Sequence, residues 1–234
     1  MQKVDHHKPA LFAAIFVMGL ILFANHAEAG WPKVESPPQT QTTNFAQEMF
    51  YQGIPMRIKT FNSKISKQRV LEFYRDKWDK KYLEDWFGPW KQISHQKNNY
   101  FITIQVQSSG EESSYGRISV MQIPDKDAPA ITLGQGIAVL PETTIVNDVT
   151  SNDSNTNSRN VIAHNNHSIE SNGNYYQRHY SNKKWGTVLD KTVKQGNRVL
   201  VFRKGNKESV VVLQKIGSTS YIQLNESQKK SFFQ

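Results

Sequence analysis

Residues 100–107 (YFITIQVQ) constrain the fold of this chain more than any other stretch. Ile102, Ile104 and Val106 alternate with polar neighbours, and a period of two is typical of a strand with one buried face. Further stretches of strand character, separated by turn residues, lie at residues 54–61, 115–123, 186–193, 198–203 and 209–215. These stretches predict that antiparallel sheet makes up much of the protein.

One stretch has the spacing of an amphipathic helix. Val70, Leu71, Tyr74 and Trp78 recur at intervals that place them on one helical face. Ser66 precedes them as an N-cap, because its hydroxyl can accept a backbone N–H of the first turn. The sequence therefore predicts a helix that begins after Ser66.

The second half of the chain follows the order of the first. Residues 168–180 (SIESNGNYYQRHY) predict a second helix with Tyr176 and Tyr180 on one face, although its central asparagines and glycine are poor helix formers. A strand, a helix and three strands in each half indicate a degenerate internal duplication. Chance similarity between short hairpins is the alternative. Two such units predict an α+β fold, an antiparallel sheet with helices covering one face.

Changes in composition along the chain set the predicted boundaries. Residues 1–29 have the charged start, short apolar run and A-x-A exit of a secretory signal peptide, with cleavage between Ala29 and Gly30. An uncleaved membrane anchor is the alternative. Residues 150–158 (TSNDSNTNS) lack apolar side chains and predict a solvated loop. The other predicted segments are a polar tether at 30–44, a first unit at 45–123, a hinge at 124–136, a second unit at 137–225 and a basic tail at 226–234.

Composition narrows the class of protein. The chain has 234 residues, no cysteine and a formal net charge of +9. The lack of thiols excludes disulfides, thiolate metal sites and cysteine nucleophiles. Together with the export signal, it predicts a periplasmic or secreted bacterial protein without a transmembrane segment after signal removal. Export argues against nucleic acid as a partner. The partners that a basic protein can reach outside the cytoplasm are an envelope protein, an anionic glycan or lipid head groups. The alternative is that the positive charge serves only solubility.

Two groups of residues are the candidates for a contact surface. The aromatic candidates, which surround a Gly-Pro turn, are Trp86, Phe87 and Trp90. These rings either form a platform on which a partner stacks or close the core beneath the first helix. The basic candidates, which lie on strands of the second half, are Arg198, Arg203 and Lys204.

The sequence offers little support for metal binding or catalysis. His164, His167 and His179 lie close together in sequence, but no nearby carboxylate or thiolate completes a zinc-binding set, so they are weak candidates. The motifs of common hydrolases, P-loop proteins and dinucleotide-binding proteins are missing. The sequence therefore predicts no metal, no cofactor and no catalytic residue.

The leading hypothesis is an exported, non-catalytic protein that binds or scaffolds a partner at the bacterial cell envelope. The rival hypothesis is a periplasmic hydrolase or isomerase for an anionic substrate, with His95 or His179 as the base. His179 then requires a carboxylate neighbour, for which Glu170 and Asp190 are the candidates. A carrier of a small ligand, with a cavity lined by tyrosine and valine, is the third hypothesis.

Overall fold

The computed structural model describes residues 30–46 and 48–230. The predicted signal peptide and the last four residues of the predicted tail lie outside this part of the chain. The strands are β1 (Thr40–Asn44), β2 (Glu48–Tyr51), β3 (Ile54–Ser63), β4 (Leu83–Phe87), β5 (Trp90–Lys97), β6 (Tyr100–Gly110), β7 (Ser113–Gln122), β8 (Thr144–Asn152), β9 (Thr156–Asn165), β10 (Gly186–Thr192), β11 (Arg198–Lys204), β12 (Lys207–Ile216) and β13 (Thr219–Lys229). The helices are α1 (Lys67–Trp78) and α2 (Ile169–Asn182), and a 3₁₀ turn spans Lys194–Gly196. Neither α-helix is long and apolar enough to cross a membrane.

The thirteen described strands form one antiparallel sheet. Its order is β10-β11-β12-β13-β9-β8-β2-β3-β7-β6-β5-β4, and β1 pairs with β3. At the centre β2 pairs with β8, which joins an N-terminal unit (residues 31–122) to a C-terminal unit (residues 134–229). In each unit the strand before the helix pairs with the last strand after it, β3 with β7 and β9 with β13.

The predicted α+β class is wrong. Only 14% of the structure is helical, and the large sheet makes the fold closer to all-β. The predicted three strands after each helix are also too few, because four strands follow α1 and four follow α2. Residues 150–158 form the hairpin between β8 and β9 rather than a solvated loop. Such strands were missed because their side chains are polar on both faces, which removes the alternation that indicates a strand.

Equivalent side chains make equivalent contacts in the two units. The Ser114 hydroxyl at the start of β7 donates to the backbone carbonyl of Ile65 at 2.8 Å. The Ser220 hydroxyl at the start of β13 donates to the carbonyl of His167 at 2.5 Å. Each bond ties the last strand of a unit to the turn that leads into its helix, so the two helices start from matching positions.

The residues that lead into β1 in the N-terminal unit and into β8 in the C-terminal unit also make equivalent contacts. Thr40 Oγ1 lies 2.8 Å from Ser63 Oγ, and Thr143 Oγ1 accepts a hydrogen bond from Asn165 Nδ2 at 2.9 Å. The residue before each threonine has a positive φ, 55° in one unit and 59° in the other. We call the residues that end at these threonines the first covering segment (31–40) and the second covering segment (134–143).

The first covering segment is packed rather than extended into solvent. Trp31 and Val34 contact the core of the N-terminal unit. The Tyr74 hydroxyl donates to the backbone carbonyl of Glu35 at 3.0 Å. The structure therefore differs from the predicted polar tether, whose last residues are also paired as β1. The segment looked unstructured in the sequence because its few apolar residues show neither helical nor strand periodicity.

The second covering segment overlaps the predicted hinge. Its first residue, Gly134, has a φ of 71°, and a side chain there would place Cβ 1.8 Å from Ile145 Cδ1. The Gly134 N–H donates to the Asp148 carboxylate at 2.8 Å, and Ile137 packs against the core of the C-terminal unit. These contacts attach the end of the predicted hinge to the sheet.

Each helix covers one core on the same face of the sheet. In α1 the predicted face is confirmed, since Val70, Leu71 and Tyr74 are buried. The predicted N-cap is also confirmed, because Ser66 Oγ accepts from the Arg69 backbone N–H at 3.4 Å. The residues that α1 covers lie mainly on β5, β6 and β7, and those that α2 covers lie on β9, β11, β12 and β13.

Two equivalent buried tyrosines differ in hydrogen bonding, and this difference predicts opposite mutational effects. The Tyr74 hydroxyl is paired with the first covering segment, whereas the Tyr176 hydroxyl has no hydrogen-bond partner among the described residues. We expect Tyr74→Phe to lower the free energy of unfolding by about 1 kcal/mol and Tyr176→Phe to raise it by about 1 kcal/mol. Urea denaturation of both variants measures this. Equal losses in the two variants would contradict the prediction.

Candidate functional site

The aromatic candidates lie on the hairpin of β4 and β5, at one edge of the sheet. The side chain of Trp86 is 59% exposed and that of Phe87 is 47% exposed, so these rings do not close the core. The pairing of Phe87 with Trp90 places both on the face opposite α1, while Trp86 is on the helix face. Trp90 is half-buried and packs edge-on against Tyr115, with ring centres 5.3 Å apart. The hairpin therefore presents aromatic rings on both faces of the sheet edge.

Cationic side chains lie against the rings of Trp86 and Trp90. Lys67 Nζ and Lys91 Nζ each lie 5.4 Å from the centre of the Trp86 ring. On the other face, the Arg117 guanidinium lies 4.6 Å from the centre of the Trp90 ring. Such contacts stabilise exposed sites by about 0.5–1 kcal/mol each. They also give the aromatic hairpin a positive environment.

An ion-pair cluster fixes this hairpin to α1. Glu84 on β4 accepts two hydrogen bonds from Arg75, at 2.5 and 3.0 Å, and also contacts Lys91 at 3.2 Å. The Arg75 hydrogen bonds are the main reason that the pKa of Glu84 lies below its usual value. The C-terminal unit has a counterpart in Arg198 and Asp190, whose nearest atoms lie 2.6 Å apart. Arg198, a predicted contact residue, is thus engaged within the fold.

The other two basic candidates lie on β11, far from the aromatic hairpin. Arg203 pairs with Glu208 across the β11–β12 hairpin, and Lys204 Nζ donates to the backbone carbonyl of Lys183 at 2.8 Å. Ten strand spacings of about 4.8 Å separate β11 from β4, a path of about 48 Å along the sheet. The structure therefore does not bring the aromatic and basic candidates together.

The three histidine candidates are also spread out. His164 on β9 contacts the ring of Tyr221. His167 precedes α2, and its Nε2 lies 3.0 Å from the carbonyl oxygen of Pro141. His179 is on the last turns of α2, where its ring stacks on a tyrosine of the same helix. Within the described part of the chain, no group of three or more His, Cys, Asp or Glu side chains is arranged to hold a metal ion.

An open cavity of about 700 Å³ lies beside the end of α2. The central strands supply its floor, which includes Glu48, Thr150, Asn157, Arg159, Glu226 and Gln228. Its walls are His179 on α2, Lys183 and Trp185 just after this helix, and Lys207 on β12. The second covering segment borders it with Gly136 and Ala138. Most of its lining residues are polar or charged and its large apolar ones are Phe50 and Trp185, unlike the tyrosine and valine lining predicted for a ligand carrier.

Both histidines of the rival hypothesis have defined surroundings. His95 Nδ1 lies 2.5 Å from the backbone carbonyl of Lys81, and its ring stacks on Trp78. His179 borders the cavity, and burial is the main reason that its pKa is lowered. The carboxylate that acts on His179 electrostatically is Glu226, rather than the predicted Glu170 or Asp190. An arginine and a glutamine engage Asp190 elsewhere.

Neither the cavity nor the place of Glu226 in it was predicted from the sequence. The alternation of Ile222 and Leu224 predicts a strand whose buried face Glu226 continues, but it does not indicate which other elements meet this carboxylate. The Tyr180 hydroxyl donates to Glu226 at 2.9 Å, which holds the carboxylate at the edge of the core.

No known protein family, curated protein or solved structure matches the chain. Function is therefore inferred from the geometry of the fold and from the sequence itself. Two features stand out from the rest of the fold: the exposed aromatic hairpin at the edge of the N-terminal unit and the polar cavity of the C-terminal unit.

Proposed function

We propose that the protein is an exported, non-catalytic protein of the bacterial cell envelope that binds a partner through the β4–β5 hairpin. The observation that carries this proposal is the exposure of Trp86 and Phe87 at the sheet edge. Large aromatic side chains are usually well buried, and tryptophan is enriched among the residues that dominate binding energy at interfaces. The composition of residues 1–29 supports export.

The rigidity of the hairpin favours binding. Arg75 on α1 holds Glu84 on β4 with two hydrogen bonds, so the rings start from a fixed backbone. Binding then costs less conformational entropy than it does for a mobile loop. The nearby Lys67, Lys91 and Arg117 favour a partner with negative charge, such as an acidic patch of an envelope protein.

The double variant Trp86→Ala/Phe87→Ala tests this contact surface. We expect capture of a partner from envelope extract to fall about tenfold or more, because truncated aromatic anchors cost the most binding energy. Quantitative mass spectrometry after cross-linking measures the captured proteins. The matched control is Val188→Ala/Ile216→Ala, which removes two side chains that are 53% and 45% exposed in the C-terminal unit.

Thermal unfolding checks that both variants keep the fold, as we expect for exposed positions. A folded double variant that retains every partner at wild-type levels would refute the contact surface. Export is tested separately by sequencing the amino terminus of the protein from its host. A mature chain that starts at Gly30 is expected, and an intact amino terminus on a cytosolic protein is the contrary result.

A hydrolase or isomerase is the second candidate function. The observation that favours it is a cavity that holds both His179 and Glu226. A histidine whose pKa is lowered is neutral at pH 7 and can accept a proton. Turnover of a ligand that occupies the cavity, lost in His179→Gln, would establish this function over simple binding.

A further inference from the structure

Two small residues of the second covering segment, Gly136 and Ala138, border the cavity at positions where the first covering segment carries Lys33 and Glu35. In the N-terminal unit, the Trp31 ring lies 4.6 Å from the Arg57 guanidinium and 5.3 Å from the Tyr100 ring. Gly134 precedes Thr143 by as many residues as Trp31 precedes Thr40, so the two positions are equivalent. By the same count, Ala138 is equivalent to Glu35. The indole covers Arg57 and Tyr100 in the N-terminal unit, whereas the equivalent Arg159 and Lys207 line the open cavity of the C-terminal unit.

The floor of the cavity also differs from the equivalent surface beneath Trp31 in the N-terminal unit. Val120 lies opposite Arg57 in the N-terminal unit, and Glu226 lies opposite Arg159 in the equivalent strand pair. Lys207 begins β12, whereas a tyrosine begins the equivalent β6. Two apolar contacts of the filled site are thus replaced by a carboxylate and an ammonium group. Charged groups at the rim of a core cost free energy, and binding a polar ligand offsets that cost.

Two charged residues of the cavity already have partners of opposite charge. Arg159 donates to both carboxylate oxygens of Asp148, at 2.9 and 2.6 Å. Glu208 pairs with Arg203 at 2.5 Å. These two residues therefore contribute little net charge toward a ligand.

The other charged side chains of the cavity are two lysines and two glutamates, whose charges cancel. Lys183 and Lys207 form no ion pair within the described residues, and they face the same space as Glu48 and Glu226. An anionic ligand gains from the two ammonium groups but is repelled by the two carboxylates. A ligand with many hydroxyl groups avoids this conflict, because a hydroxyl donates to a carboxylate and accepts from an ammonium group.

We propose that this cavity binds an uncharged oligosaccharide. Hydroxyls of the sugar pair with the balanced charges and with the amides of Asn157 and Gln228 on the floor. Trp185, which is half-buried against Tyr180, offers an apolar wall to one face of a sugar ring. The volume of about 700 Å³ lies in the usual range for a small-ligand site. The proposal does not depend on the aromatic hairpin or on its partner.

An array of neutral and acidic oligosaccharides, probed with the folded protein, tests the ligand class. We expect the bound members to be neutral, and isothermal titration calorimetry then measures the dissociation constant for the best of them. Binding to acidic members alone, or to none, would overturn the proposal. Mass spectrometry of the recovered sugar separates the two functions, because an unchanged sugar supports binding and a cleaved or isomerised one supports the hydrolase or isomerase.

Variants then locate the site. Ala138→Trp restores bulk to the second covering segment and is expected to abolish binding. Asn157→Ala/Gln228→Ala removes two exposed amides and is expected to weaken binding about tenfold, or 1.4 kcal/mol. The matched control is Gln223→Ala/Asn225→Ala, which removes exposed amides from the opposite face of β13 and should leave affinity unchanged. Wild-type affinity in the amide double variant, or equal loss in the control, would refute this location.

Discussion

Tyr180→Ala is expected to lower the free energy of unfolding by about 4 kcal/mol, the largest single-residue effect that the structure predicts. Tyr180 is 2% exposed, and its ring stacks on Phe202 with centres 4.4 Å apart. Its hydroxyl lies 2.6 Å from the Ser209 hydroxyl and donates to Glu226. The substitution therefore leaves a large cavity and two polar groups without their partner. Urea unfolding followed by tryptophan fluorescence measures the loss.

The milder Tyr180→Phe separates packing from hydrogen bonding. It keeps the ring but leaves the fully buried Ser209 hydroxyl without this contact, at an expected cost of about 1–2 kcal/mol. The two variants together thus divide the effect into an aromatic and a polar part. A loss below about 1 kcal/mol in Tyr180→Ala would show that the core of the C-terminal unit is not packed as described.

Asp148→Ala is expected to cost about 3 kcal/mol. The Asp148 side chain is only 10% exposed, and it binds the half-buried Arg159 guanidinium and the Gly134 N–H. Its removal leaves a partly desolvated cation unpaired and frees the start of the second covering segment. The control is Glu208→Ala, which breaks an exposed ion pair with Arg203 and should cost less than about 1 kcal/mol. Equal costs in the two variants would contradict this interpretation.

The same carboxylate predicts a dependence of stability on pH. The hydrogen bonds from Arg159 are the main reason that the pKa of Asp148 lies below its usual value, although burial opposes them. A lowered pKa in the folded state stabilises the protein above the unfolded value of about 3.9, and this contribution is lost as pH falls through the folded value. The difference in stability between wild type and Asp148→Ala should therefore shrink below about pH 4. A difference that stays constant down to pH 2 would exclude this linkage.

The sequence predicted elements whose burial repeats along the chain. Ile102, Ile104 and Val106 are 3%, 0% and 0% exposed, as their alternation on β6 predicts. Helix α1 and its N-cap were predicted from the same kind of local evidence. The strands β1, β2, β4 and β8 were missed, because edge strands and cavity-facing strands carry polar or exposed residues on both faces.

The candidate sites also include features that the sequence indicated and features that it did not. The aromatic residues around the Gly-Pro turn were visible in the sequence, but whether they are buried or exposed depends on their place at the edge of the sheet. Arg198 looked like a free cation and is paired with Asp190 across two strands. The cavity combines residues from β2, β8, β9, β13 and α2, which lie far apart along the chain. No local pattern indicates that they converge.

By itself, the sequence determined the helix faces, the alternating core strands and the lack of disulfides, because these depend on neighbouring residues or on composition. Only the tertiary structure decided that the two units share one sheet, since the pairing of β2 with β8 depends on backbone hydrogen bonds rather than on side-chain type. It also decided that one covering segment fills its groove with Trp31 while the other leaves a cavity. Gly134 is buried against Ile145, whereas Gly136 and Ala138 border the cavity, and these contacts are a property of the fold and not of the local sequence.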